Sequence, residues 1–323
     1  MLVTDLTRRL RIAHPLVQAG MGSGAGHQLV SAVSNAGALG TLGTVTRTPD
    51  ATLEEIEAIR GATDAPFAVN LVCFDWAPFA SELVDAVIDA APPAVTLSFG
   101  DPGPALAQCR SAGVVALVQV QDLEGLRSAV DGDADVIIVQ GNEAGGHTGR
   151  RGTLNFVAQA LQLAGEIPIL AAGGIADGRG LAAALAMGCA GAVMGTRFKV
   201  THEFLADESE KKEVVASDGS DTVYDEINDL AYGSLWPNQV TGRTLRSRFT
   251  DEWMGRDDEL RAKVAAYPPF GFVMELAEQG TTINWAGEGA GLVDEVLPAA
   301  EVVDRTVAEA EHLLRRATDV LAD

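Results

Sequence analysis

With 323 residues, 47% hydrophobic and 21% charged, the chain has the composition of a soluble globular protein able to bury a large core. Its formal net charge of -22 excludes nucleic acid and anionic membrane as partners, because both repel so acidic a surface. Cys73, Cys109 and Cys189 are scattered without a CxxC pair, which excludes a disulfide framework and a zinc site.

The opening MLVTDLTRRLRIAHP carries basic residues but no apolar h-region and no small-residue cleavage site, and no stretch reaches the roughly 18 apolar residues of a membrane helix. The expected location is the cytoplasm. Eight short apolar, β-branched runs then follow: PLVQAG (15–20), ALGTLGT (38–44), FAVNLV (67–72), AVTLSFG (94–100), VVALVQV (114–120), DVIIVQG (135–141), PILAAGG (168–174) and AGAVMGT (190–196). Their near-continuous apolar character means that both faces are buried, as in a parallel sheet. Between them, HQLVSAVSNAG, TLEEIEAIRGA, ASELVDAVIDA, PALAQCRSAG and GRGLAAALAMG are apolar at three- and four-residue spacing, several stopping at a glycine suited to a helix C-cap. Eight alternating βα units close most naturally into a (β/α)8 TIM barrel, an α/β fold, with a doubly wound open sheet as the alternative.

The region 201–285, with EFLADESEKKEVVASDGSDTVYDEINDLAYGS and YPPFGF, is more polar and irregular. It reads as a mainly helical insertion after the eighth strand, a lid or substrate-side subdomain over the barrel mouth. After WAGEGAGLV, the stretch AAEVVDRTVAEAEHLLRRATDVL (299–321) predicts a long amphipathic helix. The expected division is a barrel of residues 1–200 and 286–323 carrying the insertion 201–285.

In a βα barrel the chemistry sits at the C-terminal ends of the strands. Gly173 and Gly174 end one strand before an Asp-Gly turn opens a helix, and Gly195 and Thr196 end the next, so backbone N–H groups and a helix N-terminus would face a dianion. Either motif alone reads as a tight turn; together, on adjacent strands, they favour phosphate. Asn70, Gln119 and Gln140 offer donors and acceptors suited to the polar edge of a flat heteroaromatic ring, although each alone could cap a strand. Gly20, Met21 and Gly22 of QAGMGSGAG belong to the same mouth; the GxGxxG-like spacing there is a weak dinucleotide signal, because no acidic residue follows at a second strand end. A flavin mononucleotide has the matching ring and single phosphate. His147 lies in the side-chain-poor VQGNEAGGHTG, where proton transfer is a better reading than packing or capping. His14 and His27 lie at element starts, and His202 and His312 in charged, helical surroundings.

The motifs HPLVQAGMG, PFAVNL, VIIVQGNEAGGHTG, PILAAGGIADGRGLAAALAMGCAGAVMGTRF and WAGEGAGLV resemble the nitronate monooxygenase (2-nitropropane dioxygenase) family over nearly the whole chain. The resemblance implies an FMN-dependent oxidoreductase, a flavoprotein that oxidises an alkyl nitronate with O2 to a carbonyl compound and nitrite. It further implies that Asn70, Gln140, Gly145, Gly174, Val193, Met194, Gly195 and Thr196 contact FMN, that Met21 and Gly22 line its ring, and that His147 is the catalytic base. The scaffold also resembles flavin-type enoyl-ACP reductases, NADH:quinone reductases and flavoproteins acting on CoA thioesters in steroid-ring breakdown. The alternatives are therefore an NAD(P)H-dependent reductase of enoyl thioesters or quinones, and a non-catalytic flavin-binding barrel. The expected partners are O2 and a small molecule, with no metal, and a homodimer is the assembly considered.

Overall fold

Each of the eight runs contains a strand. In chain order these are β1 (Leu16–Gln18), β2 (Gly40–Leu42), β3 (Phe67–Cys73), β4 (Ala94–Gly100), β5 (Val115–Val120) and β6 (Val136–Gln140). A short β7 (Gly146–Thr148) intervenes before β8 (Ile169–Ala172) and β9 (Gly191–Met194). The computed structural model describes residues 1–74, 80–233, 236, 240–268, 270–317 and 319.

The eight long-range strands pair in parallel in the order β1-β9-β8-β6-β5-β4-β3-β2. The two ends of that order meet: Gln18 N–H donates to Leu39 O at 2.9 Å and Leu39 N–H to Leu16 O at 2.9 Å, with a parallel bridge between Val17 and Leu39. Closure removes both sheet edges and makes a (β/α)8 barrel, not an open sheet. Alternate strand residues fill the interior, among them Val17, Ala68, Leu117, Ile138, Leu170 and Val193. Leu6 and Leu10 of the N-terminal helix Asp5–Leu10, whose capping box at Thr4 sets its start, and Ile12 just after it join that interior cluster. The outward strand residues form a second core with the surrounding helices, which explains why the runs are apolar on both faces.

After β9 come helices Thr196–Lys199 and Glu208–Ala216, strand β10 (Thr222–Tyr224), helix Ile227–Ala231 and strand β11 (Thr241–Leu245). Helices Arg248–Trp253, Asp257–Val264 and Gly271–Glu278 follow, with their own buried cluster of Ile227, Phe249, Trp253, Leu260 and Phe272. The segment is mainly helical but adds a small antiparallel sheet, β10-β11-β7, that the hydrophobic pattern does not announce. Within YDEINDLAYGSLWP and YPPFGF, residues 234, 235, 237 and 269 lie outside the described residues. The last helix is seen over Ala299–Ala317; 318, 320 and 321 of the expected 299–321 also lie outside them. Among the described residues no helix is long and apolar enough to cross a membrane.

Candidate active site

At the C-terminal end of the barrel, the backbone is bare where the strands stop. Gly173 and Gly174 leave β8 with φ of 113° and 69°, conformations that glycine adopts without strain. Both are partly exposed, as are Gly195, Thr196 and the loop from Gly20 to Gly22, whereas β8 and β9 beneath them are buried. Among the described residues, a Cβ at Gly195 would meet only Met21 Sδ at 3.6 Å and Ala19 Cβ at 3.8 Å, both ordinary contacts that leave room there. This cradle of backbone and a hydroxyl can take one compact anion.

The helix expected to share in that role has side-chain acceptors of its own at its first turn. Asp177 caps helix Gly178–Met187 by accepting from Gly180 N–H at 3.1 Å, and Glu309 of the last helix accepts from Gly178 N–H at 2.9 Å. Two carboxylates thus accept from the first turn of that helix, where the sequence suggested backbone N–H groups facing a dianion. Asp177 was readable as a cap; Glu309 came from the far end of the chain.

The amides converge inside the barrel mouth. Gln119 and Gln121 donate from Nε2 to Gln140 Oε1 at 3.2 and 3.1 Å, and Asn70 Nδ2 donates to Ser98 Oγ at 2.9 Å. Gly20 has no side chain because a Cβ there would overlap Asn70 Cβ. Val193 faces the barrel interior, but Met194 is fully buried against the helices, so only its backbone reaches the mouth. The space at Gly145 is taken by protein: a Cβ would lie 2.5 Å from Ala286 C and Gly287 N, where the WAGEGAGLV segment crosses the histidine loop. Thr196 Oγ1 holds the same segment by accepting from Gly287 N–H at 3.0 Å.

His147 sits on β7, paired with Gly242 of β11. Its Nε2 lies 2.5 Å from Oδ1 of Asp229, on helix Ile227–Ala231, and both side chains are nearly buried. Among the described residues the other Asp229 oxygen is buried without a hydrogen-bond partner, and the imidazole is the group that answers this carboxylate. A carboxylate only accepts, so the pairing places a hydrogen on Nε2, and Nδ1 is the ring nitrogen not engaged by Asp229.

Two indoles fix the ring. Trp236 stacks on it with centroids 3.8 Å apart and planes at 16°, and Trp285 lies at 4.8 Å and 37°. Lys199, buried, donates to Asn284 Oδ1 at 2.5 Å and to Trp285 O at 3.2 Å, and burial pushes its ammonium pKa down against the opposing pull of Glu210. Burial likewise pushes the Tyr232 hydroxyl up, partly offset by a hydrogen bond with Trp285. Arg243 on β11 donates to Asn142 O at 2.8 Å and pairs with Glu288 at 3.1 Å, tying the histidine loop to the WAGEGAGLV segment. Glu143 accepts from Thr153 N–H at 2.9 Å and Thr153 Oγ1 at 2.7 Å, so the acid of EAGGH caps helix Thr153–Leu163.

Sequence reasoning missed Asp229, Trp236 and Trp285. Trp285 heads a motif that carried the family resemblance, which is a usable signal; Asp229 is 82 residues from its partner and nothing local marks it. Among the described residues, no group of three or more His, Cys, Asp or Glu side chains could hold a metal ion.

A sequence model described as nitronate monooxygenase matches residues 4–78 and 75–309. The chain is 39% identical over 341 residues to (3aS,4S,5R,7aS)-5-hydroxy-7a-methyl-1-oxo-octahydro-1H-indene-4-carboxyl-CoA dehydrogenase of Rhodococcus jostii RHA1, covering 96% of each chain. It is 29% identical to a nitronate monooxygenase of Paraburkholderia phytofirmans, covering 97% of this chain and 95% of that one. The solved structure of FabK from Thermotoga maritima superposes with a TM-score of 0.88 at 28% identity, covering 99% of this chain and all of the other.

Proposed function

The chain belongs to the nitronate monooxygenase family and is an oxidoreductase, and from that premise we propose that it is an FMN enzyme dehydrogenating a neutral carbon acid, an acyl thioester, with His147 as base. The observation that carries the reading is the His147–Asp229 pair at 2.5 Å. A pre-formed nitronate is already an anion and needs no base, and the Asp229 carboxylate beside the imidazole would repel it. A neutral C–H next to a carbonyl has the opposite requirement. Its proton must be removed, and a carboxylate-held imidazole stabilises the cation that forms when it is.

The residues divide the work as follows. Gly173, Gly174, Gly195 and Thr196 would hold the FMN phosphate, and Asn70, Gln119 and Gln140 would meet the polar edge of the ring, with Gly20, Met21 and Gly22 beside it. The partly exposed, open cradle at Gly195 and the linked amides fit such a group. When bound, FMN supplies the acceptor for the hydride from the carbon adjacent to the one that loses its proton. His147 Nδ1 takes the proton from the α-carbon. Asp229 holds the imidazole in the one tautomer and orientation that exposes that nitrogen, and the two indoles keep water from it. The relative that is 39% identical over nearly all of both chains is named as a CoA-ester dehydrogenase, which supports the thioester class.

Oxidation of nitroalkanes or nitronates with O2 is the second reading, favoured by the family model and by relatives named nitronate monooxygenase. Anaerobic mixing of FMN-loaded protein separately with a saturated acyl-CoA, propyl-2-nitronate, nitropropane and NADH tests the assignment by loss of flavin absorbance. Rapid bleaching by the acyl-CoA supports the proposal. Bleaching by the nitronate alone overturns it in favour of the second reading, and bleaching by NADH alone assigns a reductase.

A further inference from the structure

Lys199 sits where a core would ordinarily place an aliphatic side chain. It ends the four-residue helix Thr196–Lys199, its side chain is 8% exposed, and its ammonium donates to Asn284 Oδ1 at 2.5 Å and to Trp285 O at 3.2 Å, with Glu210 Oε2 at 3.4 Å. Taking an ammonium out of water is costly, and well-packed apolar side chains in place of a buried ion pair are often as stable or more so. Packing alone therefore does not call for this lysine. What it adds is direction, in two hydrogen bonds donated to consecutive residues of one stretch of backbone.

That stretch delivers Trp285 to His147. Asn284, buried, is fixed in its turn: its Nδ2 donates to Glu213 Oε2 at 2.8 Å and to Glu210 O at 3.0 Å, and its carbonyl accepts from Leu245 N–H at 2.9 Å. Trp285 makes an isolated antiparallel bridge to Thr244 of β11, its indole fills the space that a Cβ at Gly242 would need, and it shares a hydrogen bond with Tyr232. The indole then meets the imidazole at 4.8 Å and 37°. The same turn of helix grips the returning chain at two further points: Thr196 Oγ1 accepts from Gly287 N–H at 3.0 Å, and Arg197 donates to Glu295 O at 2.7 Å. Gly195 of the glycine cradle is the N-cap of this turn, so the cradle and the indole beside the base are tied to one short element.

We propose that Lys199 is a positioning residue for the base: by holding the backbone at Asn284 and Trp285, it sets the indole face that His147 meets. The inference rests on the reading of His147 as the base and goes beyond it by naming what places its neighbour. When His147 takes a proton, the imidazolium is a cation beside the indole, and the attraction of a cation to a ring depends on how the ring face is turned. Without Nζ, the amide of Asn284 and the carbonyl of Trp285 lose a donor, and the indole loses its fixed tilt. Lys199 thus acts through Trp285 and takes no part in the proton step itself.

NMR of the FMN-loaded protein carrying isotope-labelled histidine tests this without turnover, since the chain has five histidines and His147→Ala identifies the signal of the one beside the indoles. Ring currents of the neighbouring indoles displace that signal, and Trp285→Leu marks the share due to Trp285. Lys199→Met should move the His147 signal in the same direction, leave those of His14, His27, His202 and His312 in place, and add little in a Trp285→Leu background. It should also lower kcat for an acyl-CoA roughly 2–30-fold, the worth of one cation–π contact, with KM little changed. The single variant strands Glu210 without its cation and can destabilise the fold, so Lys199→Met/Glu210→Gln removes the pair together. Positioning predicts that this double variant recovers melting temperature but keeps the displaced signal. A His147 signal at the parent position in the double variant, or one that Lys199→Met moves as far with Leu at 285 as with Trp, overturns the proposal. A displaced signal in a protein that turns over no acyl-CoA leaves the role of Lys199 standing and defeats the assigned reaction instead.

Discussion

His147 is useful because three neighbours decide what it can do, and each can be removed in turn. Asp229→Asn keeps the size of the side chain but removes the charge that stabilises an imidazolium, and its amide can also present N–H to Nε2 and so favour the wrong tautomer. The expected result is a loss of roughly 10²–10⁴-fold in kcat for a neutral carbon acid, the usual worth of general base catalysis, with bound FMN unchanged. His147→Ala should lose as much. A pre-ionised nitronate should suffer far less in both variants, and equal losses for the two substrate types would mean that the pair shapes the pocket without moving a proton. The cysteines provide the contrary case. Burial pushes Cys73 up to about 12 and Cys109 and Cys189 up to about 11. Since the thiolate is the nucleophile, none of them serves as one at neutral pH. Iodoacetamide at pH 8 should leave all three unmodified in the native protein and label all three in urea, as read by mass spectrometry; fast native labelling of any one would contradict the assigned burial.

Elements carry the site through contacts between backbones. The histidine loop and the 285–293 segment approach so closely that a Cβ at Gly287 would sit 2.5 Å from Glu143 O and Gly145 N, atoms that cannot swing aside. Gly287→Ala should therefore separate the two segments, expose them to limited proteolysis and lower the melting temperature, while the barrel keeps its far-UV circular dichroism. Gly146→Ala is the control: its φ is 76° but nothing among the described residues lies within 4 Å of an added Cβ, so it should cost only about 1–2 kcal/mol of left-handed strain. Similar destabilisation in both would show that the close approach does not govern. The same distinction explains what was legible in the sequence. Strands β1 to β6, β8 and β9 could be read because burial on both faces writes an unbroken apolar run, and the glycine-ended strands pointed to the mouth. Strands β7, β10 and β11 have three to five residues each, and their pairing joins positions near 147 and 242, so no local pattern encodes them. Asp229 was invisible for the same reason. Its helix, Ile227–Ala231, has five residues, too few for periodicity to show which face meets the histidine.

At the scale of the whole molecule, the buried titratable groups predict how stability changes in alkali. The three thiols keep their protons in the folded state to about pH 11–12, whereas the unfolded chain releases them near the ordinary thiol value of 9.0. Their contribution is complete below pH 9 and is lost as pH rises through the folded values, because the unfolded state is then the one that ionises. Tyr232, raised by burial, acts in the same direction above its ordinary value of 10.0. Lys199 acts in the opposite direction: its ammonium is pushed below 10.5 by burial, so the folded state sheds a proton that the unfolded state keeps, and stability rises with pH until 10.5. Three thiols and a tyrosine outweigh one lysine, and the net expectation is a urea midpoint that falls steadily from pH 9 to 11. The formal charge of -22 adds a competing explanation, since deprotonating surface lysines increases self-repulsion. Salt separates the two, because it screens charges spread over the surface but not the burial of a neutral thiol. A triple Cys→Ala variant will be less stable at every pH, yet its midpoint should fall with a shallower slope at both low and high ionic strength. An unchanged slope in that variant, or a slope abolished by salt in the parent, would assign the alkaline loss to surface repulsion and remove the buried thiols from the account.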